Sequence, residues 1–238
     1  MKLTQEQELA LNKELITFLQ DFLTEERRKK FVQNLFLRTR HLTIVLEDIY
    51  QPHNASAVLR SCDCFGIQDV HIIENRNKYE VNPDVALGAS KWLTMTHYNT
   101  TSDNTAGCLT SLKKQGYRLV ATSPHINDFT PENLPLESKT ALLFGTELAG
   151  LSETALQMAD DFIKIPMFGF TESLNISVSA AIFLQTLTAR LRHAKTPWQL
   201  NECEQIDVHL QWLKNSIKKS DLLIEEFIRK KHPEFLHK

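Results

Sequence analysis

The chain predicts an α/β fold: a mainly parallel sheet with a helical extension at each end. Three observations lead there. Six short apolar runs recur between positions 42 and 165, each the length of a strand. The stretches between several of them carry helical spacing, and Gly66 and Gly116 stop two of these helices. The two ends of the chain are long, amphipathic and helical in pattern, and residues 4 to about 40 contain neither Gly nor Pro.

In order, the N-terminal extension places Leu9, Leu11, Leu15, Ile16, Leu19, Phe22 and Leu23 near helical spacing, followed by a second stretch with Phe31, Val32, Leu35 and Phe36. The first strand is Leu42–Leu46 (LTIVL), ending at Glu47 and Asp48. A helix from Pro52 to about Phe65 follows, then strands at Val70–Ile73 and Trp92–His97, and a helix over 103–115. Arg118–Thr122 (RLVAT), Thr140–Phe144 (TALLF) and Phe162–Ile165 complete the six strands. One helix starts near Ser152 and a long one, rich in Ala, Ile, Leu and Phe, near Asn175. The predicted boundaries are 1–40, 41–195 and 196–238. Alternating strands and helices imply a parallel sheet covered on both faces, with ligands beyond the carboxyl ends of its strands.

The 238 residues carry 27 Lys and Arg against 29 Asp and Glu, a formal charge of −2. Bulk charge is therefore not what would bind nucleic acid, and any contact with phosphate has to come from local patches. Arg27, Arg28, Lys29 and Lys30 form one such run, and Arg190, Arg192, His193 and Lys195 another; the plainer reading of each is a solvated helix face. The four cysteines form no CxxC pair and the histidines no HxxxH or HExxH pair, so neither a zinc site nor a disulfide framework is expected. Neither GxGxxG nor GxxxxGK[ST] occurs. No signal peptide and no membrane-length apolar run is visible, which predicts a cytoplasmic protein.

Three segments put polar residues or glycine at strand ends. PHNASAVLRSCDCFG begins with Asn54 near a helix start, where the plain role is a cap. Arg60 follows six residues on, in a helix of small and apolar residues. A solvated arginine is the plain reading; if it is buried it is costly unless paired, and a phosphate or carboxylate ligand would pair it. FGTELAGLS sets Gly145 directly after a strand, where the missing side chain lets backbone approach a ligand, and then Glu147; the plain reading is a strand-loop-helix turn capped by Ser152. IPMFGFTESLNIS ends a strand at Ile165 and enters the long helix through Ser173, Leu174 and Asn175, where Ser173 and Asn175 as helix caps are the plain reading. That helix start offers free N–H donors.

Together, in this order, the three segments resemble the motifs of the SPOUT methyltransferase superfamily, in its TrmH-type (SpoU) branch of RNA 2'-O-ribose methyltransferases. The resemblance covers about Leu42 to Lys195. It implies a C-terminal trefoil knot (an alpha/beta knot), a homodimer, and S-adenosyl-L-methionine (AdoMet) held in the knot largely by backbone groups. Thr122, Gly145, Ile165 and Leu174 match the cofactor positions. Asn54, Arg60, Glu147, Ser173 and Asn175 match the catalytic ones, with Arg60 activating the ribose hydroxyl. Motif two reads GTE, where relatives often carry Asn or Pro in the middle. The helical ends resemble those of the tRNA branch that acts on a D-loop guanosine. The implied partner is structured RNA, tRNA first, contacted by the basic runs. An rRNA substrate, a non-catalytic RNA-binding module on the same fold, and a Rossmann-type methyltransferase using Glu74 are the rival expectations.

Overall fold

The computed structural model describes residues 4–80, 82–86, 88–123, 125–126 and 128–235. It divides into two compact units, one made of the described residues of Met1–Arg38 and Leu200–Lys238, the other of Thr39–Gln199.

The first unit is helical. It contains α1 (Gln5–Gln20) and α2 (Glu25–Leu35) from the N-terminal side, and α8 (Glu202–Ser216) and α9 (Ser220–Lys231) from the C-terminal side. Both α1 and α8 open on capping boxes, Thr4 with Gln7 and Asn201 with Glu204. Trp212 is buried, with Phe31 edge-on and the Arg38 guanidinium over its ring.

The second unit holds the sheet. Its elements run β1 (Leu42–Glu47), α3 (Pro52–Phe65), β2 (Asp69–Ile73), the short α4 (Pro83–Ala86), β3 (Thr94–Tyr98), α5 (Asn104–Lys114), β4 (Arg118–Thr122), β5 (Thr140–Phe144), α6 (Glu153–Met158), β6 (Asp161–Ile163) and α7 (Ile176–His193). All six strands match expected runs. β3 starts two residues later than expected, because Ala89–Lys91 form a single 3-10 turn in front of it. The strand order is β3-β2-β1-β5-β4-β6 and every pairing is parallel.

β1 is buried along its whole length, which is why its sequence reads as a continuous apolar run instead of an alternating one. Its side chains divide by period two. Ile44 and Leu46 join Val58, Leu59, Phe183, Leu184 and Leu187 on the face covered by α3 and α7. Val45 joins Cys108, Leu109, Leu112 and Ala155 on the face covered by α5 and α6.

The order of the strands creates a crevice. β1 and β5 are neighbours, with Leu46 beside Phe144. From β1 the chain turns to α3 on one face; from β5 it turns to α6 on the other. The loops part, leaving a gap beyond the carboxyl ends, as at the switch point of other open parallel sheets.

Gly145 sits at that gap. A Cβ there would lie 2.1 Å from the carbonyl carbon of Gly150 and 2.3 Å from the Leu151 nitrogen. The loop folds back on itself, with Thr146 N donating to Gly150 O (2.9 Å) and Gly150 N to Thr146 O (3.0 Å). Gly150 takes φ 68°, a left-handed conformation that suits glycine. The protein's own backbone thus requires glycine at 145, and the same residue lines the crevice. Gly145→Ala should destabilise the protein by about 1–3 kcal/mol and disorder the 146–151 loop; urea titration and proteolysis of that loop check it.

His71 on β2 is buried beside Tyr98, with Nδ1 3.3 Å from the phenol oxygen. Burial lowers its pKa from 6.5 to about 4. In the fold it is neutral, while the unfolded chain takes up a proton below pH 6.5, so stability is full above that pH and falls as pH drops toward 4. Between pH 7.5 and 5 this contributes a loss of about 2 kcal/mol. His71→Gln should flatten the decline by that amount in denaturant titrations at the two pH values.

Candidate active site

The crevice holds two cavities with a common wall. The first, about 440 Å³, lies beyond β4, β5 and β6, and its lining includes Thr122, Gly145, Ile163, Ile165, Leu174 and Phe183. All four residues expected at a cofactor, Thr122, Gly145, Ile165 and Leu174, therefore face one space. The lining combines apolar side chains with backbone and a few polar groups, among them Ser123 and Lys164. That is the chemistry a flat heteroaromatic cofactor needs, and the volume lies within the range of such pockets. Thr122 is committed within the fold, its hydroxyl donating to Leu143 O at 2.8 Å.

The second cavity, about 740 Å³, opens beyond β1 and β2 and is lined by residues such as Glu47, Asp48, Tyr50, Asn54, Arg76 and Asp103. Thr146–Leu151 and Ile176 line both spaces, so the loop after β5 is a partition between them.

Glu147 stands on that partition. Its Oε1 accepts from Asn54 Nδ2 (3.0 Å) and from Asn175 Nδ2 (2.8 Å), and Asn175 Nδ2 also donates to Asn54 Oδ1 (3.0 Å). Each amide is fixed from behind. Asn54 Nδ2 also donates to Gln51 Oε1 (2.9 Å), and Asn175 Oδ1 accepts from Ser177 N (2.8 Å) and Ser177 Oγ (2.6 Å). The triangle draws on α3, the β5 loop and the start of α7, segments from all three motifs. Glu147 Oε2 makes no hydrogen bond among the described residues and is left to receive a donor from outside.

The sequence reading needs correction in places. Asn54 is not a cap: α3 starts at Pro52 behind Gln51, and the Asn54 side chain is spent on the triangle. Asn175 does cap α7. Ser173 lines the first cavity and makes no hydrogen bond to the triangle among the described residues. Arg60 is neither buried nor in the triangle; it is exposed. Six residues past Asn54, it lies about 9 Å further along the helix and on another side of it. Its helix neighbours Ala57 and Ser61 line a shallow apolar groove with Val178, Ala181 and Ile182 of α7.

The basic run of α2 is largely self-compensated. Lys29 pairs with Glu25, Lys30 with Glu26 and Arg28 with Asp21, while Arg27 lies over the Phe31 ring. Arg190, from the other group, donates to the carbonyls of Pro131 (2.6 Å) and Leu134 (2.8 Å).

Sequence reasoning missed Glu47 and Asp48. Glu47 is buried, and its carboxylate accepts from Thr105 Oγ1 (2.5 Å), Ser152 Oγ (2.7 Å) and Ser152 N (2.8 Å). Asp48 has φ 53°, and its Oδ1 accepts from the amides of Asn75, Arg76 and Asn77. An acidic pair closing a buried apolar strand was the available signal, since a buried charge persists only with partners. Glu74 is occupied as well. Burial raises its pKa, but bonds from Tyr79 N, His97 and Asn99 outweigh this and hold it below the usual carboxylate value. Three of its acceptor positions are thus taken up within the fold. Cys108, whose thiol burial pushes up to about 12, is a packing residue and not a nucleophile. Among the described residues no His, Cys, Asp and Glu cluster suits a metal, and no helix is long and apolar enough to cross a membrane.

Residues 41–185 match the SpoU rRNA Methylase family. The chain is 43% identical over 203 residues to the tRNA (guanosine(18)-2'-O)-methyltransferase of Borreliella burgdorferi, covering 85% of this chain and 91% of that protein. It is 35% identical over 161 residues to a Thermus thermophilus protein of the same name, covering 68% of this chain and 81% of that one. The solved A. aeolicus TrmH/SpoU tRNA modifying enzyme superposes with a TM-score of 0.72 at 28% identity, over 82% of this chain and 98% of that one. With its six-stranded parallel sheet and all three motifs converging on one crevice, the chain belongs to the SpoU methylase family.

Proposed function

We propose that this protein is a cytoplasmic, AdoMet-dependent tRNA 2'-O-ribose methyltransferase that modifies guanosine 18 of the D-loop. The observation that carries this reading is the partition. A cofactor-sized apolar cavity and a larger polar one meet at a loop bearing Glu147, held by Asn54 and Asn175. Methyl transfer needs that layout: a donor on one side, an acceptor on the other, and groups at the boundary that orient the acceptor oxygen. The relative that matches 85% of this chain carries the tRNA guanosine-18 name, as do others matching about two-thirds of it, which favours tRNA over rRNA.

Thr122, Gly145, Ile165 and Leu174 would hold AdoMet, which supplies an electrophilic methyl group on sulfonium sulfur. The remaining work falls to the chain. A ribose 2'-hydroxyl is a weak nucleophile until it is polarised and its proton leaves. Glu147 Oε2, held in place by the Asn54 and Asn175 amides, orients it, and Ser173 adds a hydroxyl on the donor side. Arginine keeps its charge in proteins, so Arg60 serves by stabilising the developing alkoxide beside an RNA phosphate that takes up the proton.

Arg60 lies outside its own chain's triangle, so we assign it to the crevice of a second copy. The apolar groove beside it, with Val178 45% exposed, suits a two-fold contact. The C-terminal knot belongs to the same proposal.

Incubation with labelled AdoMet and an unmodified tRNA transcript should yield 2'-O-methylguanosine at position 18; methylation of ribosomal RNA instead would reject the tRNA assignment. Arg60→Ala should lower turnover by roughly 10²–10³-fold with AdoMet affinity unchanged by calorimetry. If Arg60 acts across the dimer, equal mixing of inactive Arg60→Ala and Glu147→Ala subunits with re-equilibration should restore about a quarter of wild-type activity. No recovery would place Arg60 in its own chain's site.

A further inference from the structure

The larger cavity carries features that methyl transfer to a ribose does not by itself require. Tyr50 lines it and is 75% exposed, an aromatic ring with almost no cover. Arg76 lines it too, exposed, and its guanidinium makes no ion pair or hydrogen bond among the described residues. Most cations in the basic runs, by contrast, are already engaged.

Tyr50 and Arg76 belong to different loops, one after β1 and one after β2, yet the two are clamped together. Asp48 N donates to Ile73 O at 2.9 Å. The Asp48 carboxylate accepts from Asn75 N (2.7 Å), Arg76 N (2.8 Å) and Asn77 N (3.3 Å), and Asn77 Nδ2 returns a bond to Asp48 O at 2.8 Å. An open ring and an open guanidinium are thus presented from a rigid base into one space, which Asn54 and Glu147 also line.

An exposed aromatic face takes an unstacked base, and an unpaired arginine takes a phosphate. From this we infer that Tyr50 and Arg76 form a nucleotide clamp. The acceptor nucleotide of the RNA is drawn out of its stack, its base lies against Tyr50, its phosphate meets Arg76, and its ribose is left at the Asn54–Glu147–Asn175 triangle. Asp48 is the positioning residue that sets the two contacts relative to one another. The clamp rests on the methyltransferase reading and adds to it a site for the base and the phosphate.

The test uses the full-length protein, an unmodified tRNA transcript and AdoMet, with three readouts: tRNA affinity as a function of salt, KM and kcat for tRNA, and AdoMet affinity by calorimetry. Tyr50→Ala should weaken tRNA binding and raise KM about tenfold or more, as loss of one stacked base does, with AdoMet affinity unmoved. Tyr50→Phe, which keeps the ring, should recover most of that loss. Arg76→Ala should lower the steepness of the salt dependence by roughly one, the contribution of a single phosphate contact. Asp48→Ala should reproduce both defects together in a protein that still binds AdoMet. If the wild-type protein methylates tRNA and both Tyr50→Ala and Arg76→Ala keep its KM and salt slope, the clamp is wrong and the methyltransferase reading stands. If the wild-type protein binds AdoMet but methylates neither tRNA nor rRNA, that reading fails and takes the clamp with it.

Discussion

Where β1 and β5 end side by side, the chain has to leave in opposite directions, and the buried carboxylate of Glu47 is what fastens the divergence. It closes β1 and accepts from Thr105 on α5 and from both the hydroxyl and the amide of Ser152, the cap of α6. One side chain therefore ties the central strand to two helices of the opposite layer. A carboxylate with so little contact with water survives only because donors surround it, and removing them would leave a charge the interior does not tolerate. The crevice follows from this anchoring. With α6 held at its start, the 145–151 segment has to double back within a few residues, and the close approach of Gly150 to Gly145 is the consequence.

The doubled loop gives the site its character. It is thin enough to be a wall shared by two cavities and stiff enough, through its paired Thr146 and Gly150 amides, to hold Glu147 on that wall. Three polar side chains from distant parts of the sequence then satisfy one another before any ligand arrives. Such preorganisation spares the cost of orienting them during a reaction. The outward oxygen of Glu147 is the part of the network left for a partner.

Charge is distributed to match. A chain of net charge −2 with its N-terminal cations paired to neighbouring acids has little sequence-independent attraction for phosphate. Recognition must then concentrate at a few open groups near the site. Arg60 and Arg76 are two arginines whose guanidinium groups make no ion pair among the described residues, one on the face of α3 and one in the larger cavity.

The sequence alone determined the layout of the second unit. A fully buried strand has to be apolar throughout, and a helix between parallel strands has to end in a residue that can turn, so six strands and their covering helices were legible. The three polar segments were legible too, because Asn54, Glu147 and Asn175 stand where a packed sheet has no use for them. Only the tertiary structure decided how they combine. Periodicity shows which face of an element is buried but not what an exposed residue faces; that is why Arg60 could be read either as a solvated arginine or as one paired with a ligand, and the structure places it on an open side of the helix. For the same reason Gly145 could be read either as an opening for a ligand or as an ordinary turn. Its partner is Gly150, five residues on, and a contact between two backbone segments leaves no mark in the side-chain pattern. The second cavity was hidden entirely, since Tyr50 and Arg76 become neighbours only when Asp48 bridges two loops that sequence distance keeps apart.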